Sequence, residues 1–209
     1  MHWLDFLFTP RADEITVRNI STDDFLALVV PRLVPETRPG TVALIPFHDP
    51  RGRAVIHEAK YRGNTHAHEL LGSALAEYLR DADEISAKSS VVIVPIPLGK
   101  RRFKERGFNQ AEEIACCALR SLGEGWGGAV IVDASLLART RETISQVSLP
   151  RHKREKNMRG AFGAAHSVNP SATYIILDDV LTTGATLQAA IDALKKSGAK
   201  EIIPLALAH

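Results

Sequence analysis

The residues best suited to chemistry lie in "IILDDVLTTGAT", residues 175–186. An apolar run ends on two adjacent carboxylates, Asp178 and Asp179, and Val180 and Leu181 lead on to a small, hydroxyl-rich segment and a helix-forming stretch. A helix start offers unpaired backbone N–H groups and about half a positive charge, which suits a phosphate. Gly184 lets backbone approach an anion, Ala185 is another small residue of the turn, and Thr182, Thr183 and Thr186 add hydroxyl donors. Two acids beside such a cradle would repel a phosphate alone. They suit a ligand with hydroxyls and a metal ion next to its phosphate, such as a ribose 5-phosphate: the acids accept hydrogen bonds from the 2′- and 3′-hydroxyls while the loop holds the 5′-phosphate. An acidic cap at a strand end would explain Asp-Asp alone, but not the whole order. No Gly-Lys-Ser/Thr closes the loop, so it is not a nucleotide P-loop, nor is it the glycine-rich dinucleotide pattern.

Charge is unevenly spread. The net charge is +2, yet residues 1–88 hold 10 Lys/Arg against 13 Asp/Glu, while residues 89–209 hold 16 against 11. Lys100 to Arg106 and Arg151 to Arg159 each contain five Lys/Arg and one Glu. Such clusters point to an anionic ligand, either small phosphates or a nucleic-acid backbone, with two solvated faces as the plain alternative. The histidines His57, His66, His68 and His152 are scattered, and no nucleophile or general base stands out.

With 209 residues, 45% of them hydrophobic, the chain can bury a good-sized core in one domain, or one domain with an appendage. The longest apolar stretches, Val91 to Pro95 and Ile202 to Ala208, are too short to cross a bilayer, and the apolar start lacks a basic leader, so a cytoplasmic protein is expected. Cys116 and Cys117 are adjacent, which argues against framework disulfides and structural zinc.

The elements that must position the acids follow from periodicity. Residues 22–29 form a short helix candidate, and residues 41–47 and 53–59 flank an Asp-Pro-x-Gly segment read as the turn of a β-hairpin. Asn64 caps an amphipathic helix over 65–80. Residues 89–97 form a strand without polar alternation, as expected where both sheet faces are covered. A helix capped by Asn109, a strand at 129–133 and a strand or loop edge at 136–140 follow. The polar stretch from Arg141 to Gly160 reads as a mobile functional loop, holding at most a short helix opened by Ser148 and Pro150. A strand at 173–178, a helix at 184–197 and a strand at 201–207 complete an α/β pattern with a mainly parallel, doubly wound sheet.

The order "IILDDVLTTGAT" resembles the phosphoribosyl-pyrophosphate (PRPP) binding motif of type I phosphoribosyltransferases. "VVIVPIPLGKRRFKERGFNQAEEIA" (91–115) and "LLARTRETISQVSLPRHKREKNMRGAF" (136–162) are similar to the corresponding parts of the ComF family of competence-associated, phosphoribosyltransferase-like proteins, and the similarity runs from about Val42 to Ala208, including KYRG at 60–63. It implies a type I fold, with a mostly parallel central sheet, flanking helices and an N-terminal hood. It implies that Asp178 and Asp179 take the ribose hydroxyls and help place magnesium, and that Thr182 to Thr186, within a PRPP-binding segment from Val180 to Thr186, hold the 5′-phosphate. Leu98, Gly99, Lys100, Arg101 and Arg102 then match the pyrophosphate loop. The stretch containing Arg139, Thr140, Arg141 and Asn157 matches a flexible loop that brings Lys153 or Arg154 to the leaving group. Family members usually begin with a cysteine-rich zinc module, and Arg11 to Ile20 has no cysteine. Residues 1–40 thus stand as a replacement segment before a domain at 41–209.

Three activities fit this resemblance. One is a magnesium-dependent transfer of phosphoribosyl to an unidentified base or amine, with pyrophosphate released. Another is a non-turnover PRPP-binding or single-stranded-DNA-associated competence protein, and the third is a hydrolase using water as acceptor. The resemblance also implies a homodimer, and no membrane partner is expected.

Overall fold

The apolar runs become strands of one sheet whose order brings the acidic pair near its middle. A computed structural model describes residues 11–88, 90–123, 126, 130–141 and 156–209. The strands β1 (Arg32–Val34), β2 (Thr41–Ile45), β3 (Val91–Pro95), β4 (Val130–Val132), β5 (Leu137–Arg139), β6 (Phe162–Ala164), β7 (Thr173–Val180) and β8 (Glu201–Ala208) alternate with helices. These are α1 (Ala12–Asn19), α2 (Thr22–Leu26), α3 (Pro50–Arg62), α4 (Thr65–Asp81), α5 (Asp83–Ser86), α6 (Lys100–Arg106), α7 (Gln110–Leu122) and α8 (Ala185–Lys196). Six strands form the central sheet in the order β1-β2-β8-β7-β3-β4, and β5 pairs with β6 apart from it. β1 runs antiparallel to β2; the remaining pairs of the sheet are parallel.

Side chains alternate across a strand, and in β7 this sends Ile175 and Leu177 to one core and Tyr174 and Ile176 to the other. The first core is closed by α3, α4 and α7 through Val55, Leu71 and Ile114, the second by α8 through Leu187, Ile191 and Leu194. Each fully buried Ile or Leu of this kind contributes roughly 2 kcal/mol. Val17 and Phe25, from the segment ahead of the sheet, fill the first core as well. The α/β architecture expected from the sequence, a mostly parallel sheet covered by helices on both faces, is observed.

The register pairs Pro95 of β3 with Leu177 of β7, so the segment after β3 begins beside Asp178. From β3 the chain passes to α7 on one face, and from β7 to α8 on the other. Where neighbouring parallel strands send their connections to opposite faces, a crevice opens beyond their carboxyl ends.

One local expectation is corrected. Residues 53–59 are not the second strand of a hairpin but lie within α3. Asp49 caps that helix, its carboxylate accepting from the Arg51 amide at 2.8 Å, and Pro50 opens the first turn. Asp-Pro serves a helix start as well as a turn, and a continuous buried face over Val55, Ile56 and Ala59 decides for the helix. The hairpin of the N-terminal region is β1–β2 instead. Of the residues matched to the pyrophosphate loop, Lys100, Arg101 and Arg102 form the first turn of the helix α6, which ends at Gly107 in the left-handed conformation.

α4 and α7 approach closely at Gly72, where an added Cβ would lie 2.4 Å from Cys117 Cβ and 2.9 Å from the Ala118 amide nitrogen. Gly72→Ala is expected to lower stability by about 1 kcal/mol or more, even after the roughly 1 kcal/mol alanine gains in helix propensity. The check is a fall in the urea midpoint at unchanged slope.

Candidate functional site

Alternation also separates the two acids. Asp179 shares the face of Ile175 and Leu177 and points toward α3 and α7; it is 6% exposed. Its Oδ2 accepts from Lys60 Nζ at 2.6 Å and Gln110 Nε2 at 2.9 Å, and its Oδ1 from the Val180 amide at 2.8 Å. Arg106 donates to Gln110 Oε1 at 2.8 Å, and its guanidinium lies 5.1 Å from the Tyr61 ring centre. Asp178 borders the cleft and the loop after β7, and its Oδ1 accepts the Asp179 amide at 2.9 Å.

The titration of the pair follows from these contacts. Burial pushes Asp178 up to about 7, the Asp179 charge adds to that, and Lys60 offsets it only in part. For Asp179 burial also opposes ionisation, but the charge and hydrogen bond of Lys60, with the Val180 amide and Gln110, outweigh it and hold the group below the usual carboxylate range. Asp179 is therefore a committed anion, while Asp178 can carry or release a proton near neutrality.

The loop that follows leads from β7 into α8. Leu181 donates to Ala208 O at 2.8 Å, which ends the strand. Among the described residues, the amides of Thr182, Thr183, Gly184 and Ala185 have no acceptor within the protein. Thr183 is buried, and its Oγ1 also lacks a partner. A buried hydroxyl left unpaired costs about 1–3 kcal/mol, so a ligand oxygen there would be well rewarded. Gly184 has φ +70°, and a Cβ on it would sit 2.6 Å from Glu36 O in the β1–β2 connection. Glycine is thus demanded twice, by backbone angle and by contact.

Opposite the loop, Leu98, Gly99, Lys100, Arg101 and Arg102 border a cleft of roughly 1590 Å³, together with Asp178, Thr182 and Thr186. Arg139 Nε donates to Pro97 O at 2.9 Å, its guanidinium 4.9 Å from the Phe162 ring centre, and Asn109 Nδ2 donates to Ile96 O at 3.1 Å. Arg101 pairs with Glu105 at 2.8 Å. Thr140 Oγ1 donates to Gly160 O at 2.7 Å, and Arg141 donates to the Asn157 and Arg159 carbonyls at 2.9 Å, tying the neck of the polar stretch. Lys153 and Arg154 lie outside the described residues.

Sequence reasoning did not assign Lys60, Tyr61, Arg106 or Gln110. Lys60 and Tyr61 were signalled only by the KYRG run at 60–63, and Arg106 and Gln110 only by the basic cluster and the 91–115 resemblance, because a lysine that meets an aspartate more than a hundred residues away leaves no local pattern. A metal ion can be tested against the same groups. Among the described residues no cluster of three or more His, Cys, Asp or Glu could hold one. Magnesium is usually held by one or two carboxylates plus substrate oxygens, and Asp178 fits that use; Oδ2 of Asp179 is already committed.

Residues 139–208 match the phosphoribosyl transferase domain family. The chain is 31% identical over 149 residues to the DNA utilization protein YhgH of Escherichia coli K12, covering 71% of this chain and 63% of that one. It is 30% identical over 151 residues to competence protein F of Haemophilus influenzae, covering 71% and 63%. Against competence protein ComFC of Bacillus subtilis it is 29% identical over 147 residues, covering 70% and 54%. The matched stretch thus spans less than two thirds of the length of these relatives. Orotate phosphoribosyltransferase of Mycobacterium tuberculosis H37Rv, solved with inorganic phosphate, is 13% identical, covers 98% of this chain and 80% of its own, and superposes with a TM-score of 0.37, too loose to carry an inference. Among the described residues no helix is long and apolar enough to cross a membrane.

Two outcomes test this arrangement. Lys60→Met leaves the Asp179 carboxylate buried and uncompensated and is expected to cost about 3–5 kcal/mol. Adding Asp179→Asn should return most of that loss in a denaturant titration. Asp178 binds a proton in the folded state up to about pH 7 but only up to its ordinary value of 3.8 when unfolded. Its contribution is complete below the lower value and lost as pH rises through the upper one. Asp178→Asn should therefore raise the melting temperature relative to wild type at pH 8 and have far less effect at pH 4.

Proposed function

The chain belongs to the ComF family of phosphoribosyltransferase-like proteins, and from that premise we propose that its cleft binds PRPP with magnesium and transfers the phosphoribosyl group to a base or amine. The observation that carries this reading is the meeting, at one strand end, of a cleft-facing acid with four successive amides and a buried hydroxyl that have no partner among the described residues. Residues 182–186 hold the 5′-phosphate, and Asp178 takes the ribose hydroxyls. Asp179, neutralised by Lys60, fixes the position and charge of its neighbour. In the transfer, the bond from C1 to the pyrophosphate oxygen breaks and a bond to the acceptor nitrogen forms, the acceptor's proton passing to solvent. Positive charge grows on the ribose and negative charge on the departing pyrophosphate. Lys100, Arg101 and Arg102 border that end of the cleft, and preorganised donors at a developing oxyanion are each worth about 3 kcal/mol. Lys153 and Arg154 add to them from the polar stretch. Magnesium, when bound through Asp178 and the ligand's own oxygens, supplies further neutralisation of the phosphate charge.

A second reading is single-stranded-DNA binding without turnover. It is favoured by Phe103, 51% exposed within the basic helix α6, and accords with relatives named for DNA utilization and competence. Basic grooves with exposed aromatic rings suit single strands, whose affinity falls steeply with salt.

Calorimetry with PRPP and magnesium separates the readings. Asp178→Asn and Gly184→Ala are each expected to weaken binding at least about tenfold, a change of roughly 1.4 kcal/mol. Unchanged affinity in both variants would remove the site assignment. A pyrophosphate-release assay over a panel of bases and amines then distinguishes transfer from binding alone. Salt-sensitive DNA binding without any release would favour the second reading.

A further inference from the structure

Beyond the sugar-binding corner the cleft runs along α3, and its wall there has a distinct chemistry. Resting on the PRPP reading above, we propose that this wall holds the acceptor, and that the acceptor is a planar ring bearing a carboxylate. Arg53, Ile56, His57, Lys60 and Tyr61 all border the cleft at helical spacing, so they present one face of α3. Lys60 ends that stripe on Asp179, and Arg53 stands seven residues earlier, about 10 Å along the helix axis. That interval leaves room for one ring between the sugar corner and the guanidinium.

The flat part of the wall is Tyr61, 55% exposed, with His57 4.9 Å away and Phe47, 37% exposed, on the connection leading into α3. Exposed rings of this kind bind another ring by offset stacking. The charged part is Arg53. Eight Lys or Arg side chains border the cleft against three carboxylates, and the carboxylates are accounted for: Asp179 by Lys60, Glu105 by Arg101, and Asp178 by the sugar. Lys100 and Arg102 lie at the pyrophosphate end. Among the described residues, neither Arg53 nor Arg62 has a carboxylate within ion-pair range, although both border the cleft. A guanidinium fork matches a carboxylate in two parallel hydrogen bonds, which gives direction as well as charge. A neutral nucleobase would leave that fork unused.

The test is binding of matched probes to the full chain, measured by calorimetry with and without PRPP and magnesium: nicotinate against nicotinamide, benzoate against benzamide, and acetate as the carboxylate without a ring. The carboxylates of the ring pairs should bind about tenfold more tightly than their amides. They should also outbind acetate, Arg53→Ala should erase the preference, and Arg53→Lys should restore part of it. Equal binding of acid and amide, binding of acetate as tight as that of benzoate, or a preference that survives Arg53→Ala would each overturn the inference. PRPP binding is read in the same samples. Intact PRPP binding with no carboxylate preference sinks this inference alone. A carboxylate preference without PRPP binding sinks the proposed transfer and leaves the anion-binding wall in place.

Discussion

The ion pair between Lys60 and Asp179 is the interaction on which the rest of the site depends. Two adjacent acids on a strand must point to opposite faces, so one of them is driven into a helix layer from which water is excluded. An uncompensated carboxylate there would be prohibitive, and burying an ion pair is at best roughly neutral for stability. What the pair achieves is placement. Lys60 from α3 and Gln110 from α7 converge on one oxygen, which locks two helices to the end of β7, while Asp178 borders the cleft beside this neutralised neighbour. The Asp179 charge, still felt by its neighbour, helps keep Asp178 near its titration point at neutral pH.

Around that lock the sheet order does the positioning. β3 and β7 are neighbours, yet their connections leave toward opposite faces, so the segment holding Gly99 and the loop holding Gly184 part and a crevice opens between them. The loop after β7 is supported from behind by the β1–β2 connection, whose Glu36 carbonyl leaves no space for a side chain on residue 184. Arg38 extends the same support, its amide donating to Gln188 Oε1 of α8 at 2.8 Å. The N-terminal hairpin thus acts as a brace on the loop from outside the cleft. The opposite wall is braced by Arg139, which reaches from β5 to the Pro97 carbonyl.

Much of this was legible in the residues. Runs without polar alternation gave buried strands, Asn64 and Asn109 gave helix starts, and the Asp-Asp to Thr-Gly order gave the strand-loop-helix unit at the sheet's carboxyl edge. These features are local: each depends on side chains a few residues apart, and backbone geometry converts such spacing directly into structure. The misread segment was one with two local solutions. Asp49-Pro50 can open a turn or a helix, and only the core that α3 covers decides between them. The basic run at 100–106 disclosed only its charge, because its exposed position leaves no hydrophobic stripe to mark the helix.

The chain's own order of residues determined that an acidic strand end leads through a glycine-containing loop into a helix start, because both ends of that unit lie within a dozen residues. It did not determine which acid would be buried against the helices, which lysine would neutralise it, or that a hairpin carbonyl would press on Gly184. Those were decided by the folded sheet, since Lys60, Gln110 and Glu36 reach the site from three separate elements, and electrostatic partners and steric limits are set by distance in space rather than by separation along the chain.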